Sequence, residues 1–211
     1  MKKIVFIHLP KCGGTLLNKY SSTEPQFEYW MYKDQAHKPA TTVVKNNDIY
    51  LFGLVRNPWD WYVSRYFYFI KKDVKENGIS KRSDAGLYGK DFIERFPTFK
   101  DHMIWGSEDL YSRFWLSNLY AKMYYNLDTK KCLMDRIGNL ETIYDDVRRA
   151  FSCIDAEASI DIYDFAYRNQ EHWNKTEHDH YSRYYDEELR ELVLTRDEAL
   201  ITKHGYIFED N

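Results

Sequence analysis

The sequence has few cysteines, and none of them belongs to a pair. The three cysteines stand far apart, at positions 12, 132 and 153, and no Cys-x-x-Cys motif occurs among the 211 residues. A scattered, odd-numbered set predicts neither a disulfide framework nor a cysteine zinc site, and it is typical of proteins from a reducing compartment. The cysteines therefore predict a cytoplasmic protein.

Long apolar runs and an excess of one charge are also missing. The apolar stretch within the first nine residues is too short for a signal peptide, and no stretch approaches the length that crosses a bilayer. The formal net charge is only −3, which gives no general attraction for nucleic acid. We expect no membrane span and no nucleic-acid partner.

The composition that remains is that of a folded domain. Apolar residues make up 44% and charged residues 30% of the chain, and the length predicts a single domain over residues 1–211. Aromatic residues are abundant, with 19 Tyr, 12 Phe and 6 Trp. Such a set either fills a tyrosine-rich core or forms a stacking surface for sugars or bases, and we favour the core.

Two segments combine a buried strand with a polar loop and a helix. Lys3–Leu9 and Tyr50–Val55 are continuous apolar runs, which is typical of strands buried in a parallel sheet. A helix is predicted from Thr15 to Tyr20, and another from Pro58 to about Lys71 with Asn57 as its N-cap. Repeated strand–loop–helix units predict an α/β fold with a central parallel sheet flanked by helices.

Local signals place the other elements. Thr98 with Asp101 resembles a capping box and predicts a helix start. A single helical face carries Leu140, Ile143, Val147 and Phe151. A last helix is predicted between Asp186 and Gly205, whereas residues 72–89 form a polar, glycine-containing loop.

The loop after the first strand is suited to binding an anion. The segment PKCGGT, residues 10–15, joins a buried strand to the positive end of a helix. Gly13 and Gly14 allow the backbone to approach an anion, Lys11 adds a positive charge, and Thr15 adds a hydroxyl donor. These features predict a phosphate or sulfate site.

Two known loop types do not fit this segment. A Walker loop needs a lysine after its last glycine, whereas Lys11 precedes both glycines. A cysteine phosphatase pattern, C-x5-R, would place an arginine at position 18, which is Asn18. We therefore expect Cys12 to pack, or to donate its backbone N–H, rather than to react.

A third type does fit. The PKCGGT segment resembles the 5′-phosphosulfate loop of sulfotransferases that use 3′-phosphoadenosine 5′-phosphosulfate (PAPS), and Leu54–Tyr66 resembles their 3′-phosphate segment. The resemblance implies a P-loop-like three-layer fold. It implies that Arg56 and Ser64 bind the 3′-phosphate, and that the leaving oxygen is stabilised by Lys11. The implied 5′-phosphosulfate contacts are Lys11, Cys12, Gly13, Gly14, Thr15 and Leu16.

The resemblance extends over most of the chain. It includes the segments His37–Ala40, Ile137–Glu141, Asn174–Thr176, Tyr184–Leu189 and His204–Tyr206. The chain departs from the family at Trp61, where an arginine is frequent. It departs again at Thr41–Val44, which has strand propensity where the family places a helix.

The resemblance also implies the reaction. A sulfuryl group would pass from PAPS to an acceptor hydroxyl, which family analogy suggests belongs to a carbohydrate, and no metal is needed. His37 is the predicted general base, since it is the only histidine between Thr15 and Arg56. The basic loop at residues 72–89 is the predicted cover over the acceptor. A P-loop-like nucleotide-binding protein, kinase-related or inactive, is the alternative.

The other histidines suggest no site. His172, His178 and His180 stand in a polar stretch without a supporting ligand pattern, so we expect them to be solvated. His8 follows an apolar run, and we expect a core histidine whose hydrogen bonds are satisfied.

Overall fold

The computed structural model describes residues 2–31, 37–75, 94–105, 115–169 and 178–210. The chain divides into two compact units. The first comprises Met1–Arg56 with Leu119–Asn174, and the second comprises Asn57–Asn118 with Lys175–Asn211. A single domain over residues 1–211 stays a prediction.

The described elements include six strands and seven helices. The strands are β1 (Lys3–Ile7), β2 (Phe27–Tyr29), β3 (Ile49–Val55), β4 (Tyr125–Asn126), β5 (Lys131–Cys132) and β6 (Arg136–Asn139). The helices are α1 (Gly14–Ser21), α2 (Pro58–Lys75), α3 (Phe99–Trp105), α4 (Leu116–Tyr124), α5 (Ile143–Ser152), α6 (Ile162–Arg168) and α7 (Glu187–His204).

The first unit is built on a four-stranded sheet with the order β2-β1-β3-β6, in which every pair is parallel. The two strands predicted from apolar runs are β1 and β3, which end within two residues of the predicted bounds. Both are buried because their runs carry no polar alternation. The short strands β4 and β5 form a separate antiparallel pair.

Helices cover both faces of this sheet. Phe27 of β2 packs with Tyr20 of α1 and Phe151 of α5, with ring centroids 5.5 and 6.3 Å from Phe27. Phe27 and Tyr50 both pair with Ile4, and Gly53 lies three residues after Tyr50. Because successive side chains of a strand alternate between the two faces, Gly53 faces the side opposite Phe27. A Cβ on Gly53 would lie 2.7 Å from the ring of Tyr124 in α4. The α/β prediction is confirmed, and the tyrosine-rich core is present here. The P-loop-like fold stays a prediction.

The second unit contains α2, α3 and α7, which begin at the predicted caps. Asn57 accepts a hydrogen bond from the Trp59 N–H at 3.1 Å, and Asp186 accepts one from the Leu189 N–H at 3.0 Å. Thr98 and Asp101 exchange the bonds of a capping box. Helix α2 continues to Lys75, four residues beyond its predicted end. Residues 76–89 of the predicted loop lie outside the described ranges.

The sequence gives conflicting signals at Thr41–Val44, strand from propensity and helix from the resemblance. Thr41–Val44 is not a strand, since Ala40–Thr42 forms a turn of 3₁₀-helix. The Thr42 hydroxyl donates to the Pro39 carbonyl at 2.7 Å and accepts from the Trp30 indole N–H at 3.0 Å. This side-chain bonding favours the turn over the strand that β-branched residues predict. No helix among the described residues has the length and apolarity needed to cross a membrane.

Candidate functional site

The sheet order marks a candidate binding position at the carboxyl ends of β1 and β3. The connection from β1 leads to β2 on one side, whereas β3 and β6 lie on the other side of β1. In open parallel sheets, ligands bind outside the carboxyl ends of the strands at such a reversal. Two predicted binding features occupy this position, because the glycine loop follows β1 and Arg56 follows β3.

Tyr124 fills the gap where β1 and β3 separate. The last paired residues of these strands are Ile7 and Gly53. Just beyond them, the Tyr124 hydroxyl donates to the Leu54 carbonyl at 2.7 Å, accepts from the Leu54 N–H at 3.1 Å, and lies 3.4 Å from the Ile7 carbonyl oxygen. The side chain therefore satisfies backbone groups that the separating strands leave unpaired.

Two residues of the loop adopt left-handed backbone conformations. Lys11 has φ 66° and Gly13 has φ 76°. A non-glycine residue in this region is strained by roughly 1–2 kcal/mol. Gly13 is the N-cap of α1 and carries no capping side chain, so the helix leaves the N–H groups of its first turn without intrahelical acceptors. Gly14, Thr15 and Leu16 occupy that turn, as an anion site requires.

Cys12 packs inside the loop. The side chain is fully buried, and the thiol lies 3.6 Å from the Pro10 carbonyl oxygen. The backbone N–H of Cys12 donates to the Leu9 carbonyl at 3.2 Å and closes the turn. The expected packing is confirmed, whereas donation of this N–H to an anion stays a prediction.

Arg56 contacts the loop from the neighbouring strand. The guanidinium Nη1 donates to the Lys11 carbonyl at 3.4 Å. The predicted cationic residues of the first unit are therefore adjacent. Ser64 is a buried residue of α2 and belongs to the second unit. Its pairing with Arg56 stays a prediction.

His8 is a feature of the site that the sequence analysis did not predict. The imidazole Nδ1 lies 2.5 Å from the Tyr29 hydroxyl, but Nε2 is buried and has no hydrogen-bond partner among the described residues. The expectation of a satisfied histidine was therefore only half correct. Burial lowers the pKa of His8 well below its usual value, and the nearby His37 and Lys11 lower it further. The sequence did carry a signal for this residue, because a titratable side chain stands between a buried strand and the predicted anion loop.

His37 lies beside His8. Its Nδ1 is 3.3 Å from the His8 carbonyl oxygen, and the two ring centroids are 4.4 Å apart. The side chain is exposed, and its backbone has a positive φ of 62°. The predicted base thus lies at the end of β1, next to His8, which stands two residues before the loop. Its role in catalysis stays a prediction.

Gly14 is required because of His8. A Cβ on Gly14 would lie 2.0 Å from Cε1 of the imidazole, which is far inside contact distance. We expect Gly14→Ala to lower the free energy of unfolding by at least about 1–3 kcal/mol, the usual cost of overpacking. In a His8→Ala background the same change should cost much less, because the clashing ring is gone. Denaturant unfolding of the two single variants and the double variant measures this coupling, and equal costs in both backgrounds would contradict it.

The segment Ile137–Glu141 and the start of α5 pack against the loop at Gly13. Asp146 is buried and accepts hydrogen bonds from the Arg136 side chain, the Asn139 N–H at 3.0 Å and the Thr142 hydroxyl at 2.8 Å. A Cβ on Gly138 would lie 2.4 Å from the Asp146 carboxyl carbon. The residues held by this cluster include Leu140 and Ile143, whose side chains lie within 3.1 Å of the position a Cβ would take on Gly13.

The other histidines and Trp61, where the structure describes them, contact neighbouring side chains and form no second site. His178 stacks on Phe67, with centroids 5.4 Å apart, and Nδ1 of His180 lies 3.0 Å from the Ser182 hydroxyl. His172 lies outside the described ranges. Trp61, which the resemblance marks as a departure, is fully buried with the Arg65 guanidinium over its ring and is a core residue here. Within the described part of the chain, no group of three or more potential ligand residues could hold a metal ion.

No protein-family model and no curated protein matches the chain. Any assignment of function therefore depends on the site itself.

Proposed function

We propose that the protein is a sulfotransferase that moves a sulfuryl group from PAPS to an acceptor hydroxyl, with a carbohydrate as the acceptor class. The observation that carries the proposal is the contact of Arg56 with the Lys11 carbonyl, at the reversal point of the sheet. The Arg56 guanidinium meets the backbone of Lys11 there, beside a helix N-terminus. Such a site suits a nucleotide that carries anionic groups on both its 5′ and 3′ positions.

In this proposal the loop binds the 5′-phosphosulfate. The first-turn N–H groups of α1, at Gly14, Thr15 and Leu16, point along the positive end of the helix dipole. The left-handed conformations of Lys11 and Gly13 bend the backbone around the same point. Lys11 adds a mobile charge for the oxygen that leaves the sulfur.

The second anionic group is the 3′-phosphate. The Arg56 guanidinium offers a planar pair of donors that matches a phosphate, and the Ser64 hydroxyl would add a further donor. AMP lacks this phosphate, and ATP has its additional phosphates at the 5′ end. Arg56 therefore determines which nucleotide the site prefers.

The transfer needs positioning, a base and charge stabilisation. The acceptor oxygen forms a bond to sulfur while the bond from sulfur to the 5′-phosphate oxygen breaks. The acceptor proton passes to His37, and the charge that develops on the leaving oxygen is stabilised by Lys11. Adenosine 3′,5′-bisphosphate and the sulfated acceptor are the products, and no metal takes part.

The buried thiol argues against a cysteine mechanism. A nucleophilic cysteine is an accessible thiolate, whereas the Cys12 side chain is fully buried against the Pro10 carbonyl. We expect Cys12→Ser to retain most of the sulfuryl transfer, since the loop acts through its backbone and Lys11. Turnover and bisphosphate affinity of this variant measure the expectation. Loss of turnover with folding and affinity retained would instead indicate a thiol mechanism.

The direct test is transfer of radiolabelled sulfate from PAPS to a panel of sugars, phenols, lipids and peptides. Label in a sugar hydroxyl is the expected result. Parallel incubation with ATP and Mg²⁺ tests the kinase-related alternative. Phosphorylation of an acceptor, or absence of transfer to every acceptor, would contradict the proposal.

A further inference from the structure

Two neighbouring histidines, whose rings are tilted by 40° to each other, stand at the end of β1, and only one of them has an assigned role. The His8 side chain is enclosed by Tyr29, by Gly14 of α1 and by the ring of His37. His37 is exposed and contacts His8 at two points, its carbonyl oxygen and its ring. The question is what a buried histidine supplies that an apolar residue would not.

The contact with the His8 carbonyl fixes the protonation of His37. A carbonyl oxygen can only accept, so Nδ1 of His37 must carry the hydrogen across the 3.3 Å separation. In the neutral ring, Nε2 is then the nitrogen with the lone pair. A general base needs such a nitrogen, and the bond at Nδ1 also limits rotation of the ring.

His8 adopts the opposite tautomer. Burial raises the pKa of Tyr29 to about 12, so the phenol keeps its proton. A phenol is a stronger hydrogen-bond donor than a neutral imidazole, and an imidazole nitrogen is the stronger acceptor, so Tyr29 donates to Nδ1 of His8. The hydrogen of His8 then resides on Nε2. Because burial keeps this ring neutral, the two neighbouring rings do not place two positive charges together when His37 takes a proton.

We propose that His8 is a positioning residue: its carbonyl group and its imidazole hold His37 so that Nε2 of His37 meets the acceptor hydroxyl as the unprotonated nitrogen. The inference rests on the proposed function, in which His37 takes the acceptor proton. His8 itself touches neither substrate. An apolar residue at this position would keep the carbonyl bond, but it would lose the ring that His37 contacts and the bond that Tyr29 makes to that ring.

The first test observes the tautomers directly. Long-range ¹H–¹⁵N NMR spectra of the parent protein, recorded where both imidazoles are neutral, should show His37 as the Nδ1–H form and His8 as the Nε2–H form. Tyr29→Phe is the matched control, and it should alter the His8 signals while leaving the His37 tautomer unchanged. A His37 ring in the Nε2–H form would overturn the proposal. This spectrum needs no activity, so it remains decisive for the positioning even if no sulfuryl transfer is found.

The second test asks whether His8 acts through His37. We expect His8→Ala to lower kcat by about 10- to 100-fold, because a misplaced catalytic group loses most of its advantage. Affinity for 3′,5′-adenosine bisphosphate should stay within about twofold. In a His37→Ala background, His8→Ala should cause no further loss of kcat. An equal loss in both backgrounds would show a merely structural role and contradict the proposal, whereas a parent without sulfuryl transfer would contradict the proposed function instead.

Discussion

Replacing His37 by alanine should lower sulfuryl transfer by roughly 10²- to 10⁴-fold and leave the affinity for 3′,5′-adenosine bisphosphate nearly unchanged. The reason is that a general base acts on the proton of the acceptor and not on the nucleotide. The His37 ring is exposed and lies beside His8 at the end of β1. Steady-state kinetics and calorimetric titration of the same variant separate the two quantities.

The loss should depend on the acceptor. A phenol is already acidic and needs little help to lose its proton, whereas a sugar hydroxyl needs much, so the loss should be larger for the sugar. His178→Ala provides a matched control, because His178 is a half-buried histidine of the second unit that stacks on Phe67. Unchanged turnover of the sugar in His37→Ala would remove His37 from the mechanism.

Replacing Asp146 by alanine should lower the free energy of unfolding by about 3–5 kcal/mol, which is the usual cost of breaking a buried ion pair. The change leaves the Arg136 guanidinium without its carboxylate and leaves the Asn139 N–H and the Thr142 hydroxyl without their acceptor. Denaturant unfolding measures this cost. Asp145→Ala is the control from the same helix, because Asp145 pairs with Arg148 on the surface and should contribute less than about 1 kcal/mol.

The Asp146 contribution should vanish in acid. Burial alone would raise the pKa of this carboxyl, but the hydrogen bonds from Arg136, Asn139 and Thr142 outweigh burial and lower it. A carboxyl with a lowered pKa stabilises the fold above its unfolded pKa of about 3.9 and loses that contribution as the pH falls through the folded value. The difference in stability between parent and Asp146→Asn should therefore shrink below about pH 4. A constant difference through this range would contradict the assignment.

The parts of the fold that sequence could predict are those with local signals. Apolar runs marked β1 and β3, while side chains that bond their own helix N-termini, Asn57 and Asp186 among them, marked helix starts. Strand β2 has only three residues, and its strand conformation comes from pairing with β1, which no local pattern reveals. The conflicting signals at Thr41–Val44 could not be decided from propensity, because the turn at Ala40–Thr42 depends on the bonds of the Thr42 hydroxyl with Trp30 and Pro39.

The candidate site likewise combines residues that the sequence could group with an environment that it could not predict. The loop residues are contiguous, so the sequence alone could group them at one turn between β1 and α1. Arg56 joins them because β1 and β3 are neighbours in the sheet, which two buried runs and a parallel sheet made foreseeable. The environment of His8 depends on Tyr29 and His37, which are 21 and 29 residues away along the chain. That environment became visible only in the folded chain.

The central claim is that the site recognises a nucleotide by its 3′-phosphate, and one titration tests it most directly. Parent protein and Arg56→Ala are titrated with 3′,5′-adenosine bisphosphate, with AMP, and with ATP and Mg²⁺. We expect the parent to prefer the bisphosphate over AMP by about 10- to 100-fold, since a charge-assisted hydrogen bond contributes about 1.5–3 kcal/mol, and we expect Arg56→Ala to lose that preference. Equal binding of bisphosphate and AMP by the parent, tighter binding of ATP with Mg²⁺, or an unchanged preference in Arg56→Ala would contradict the account.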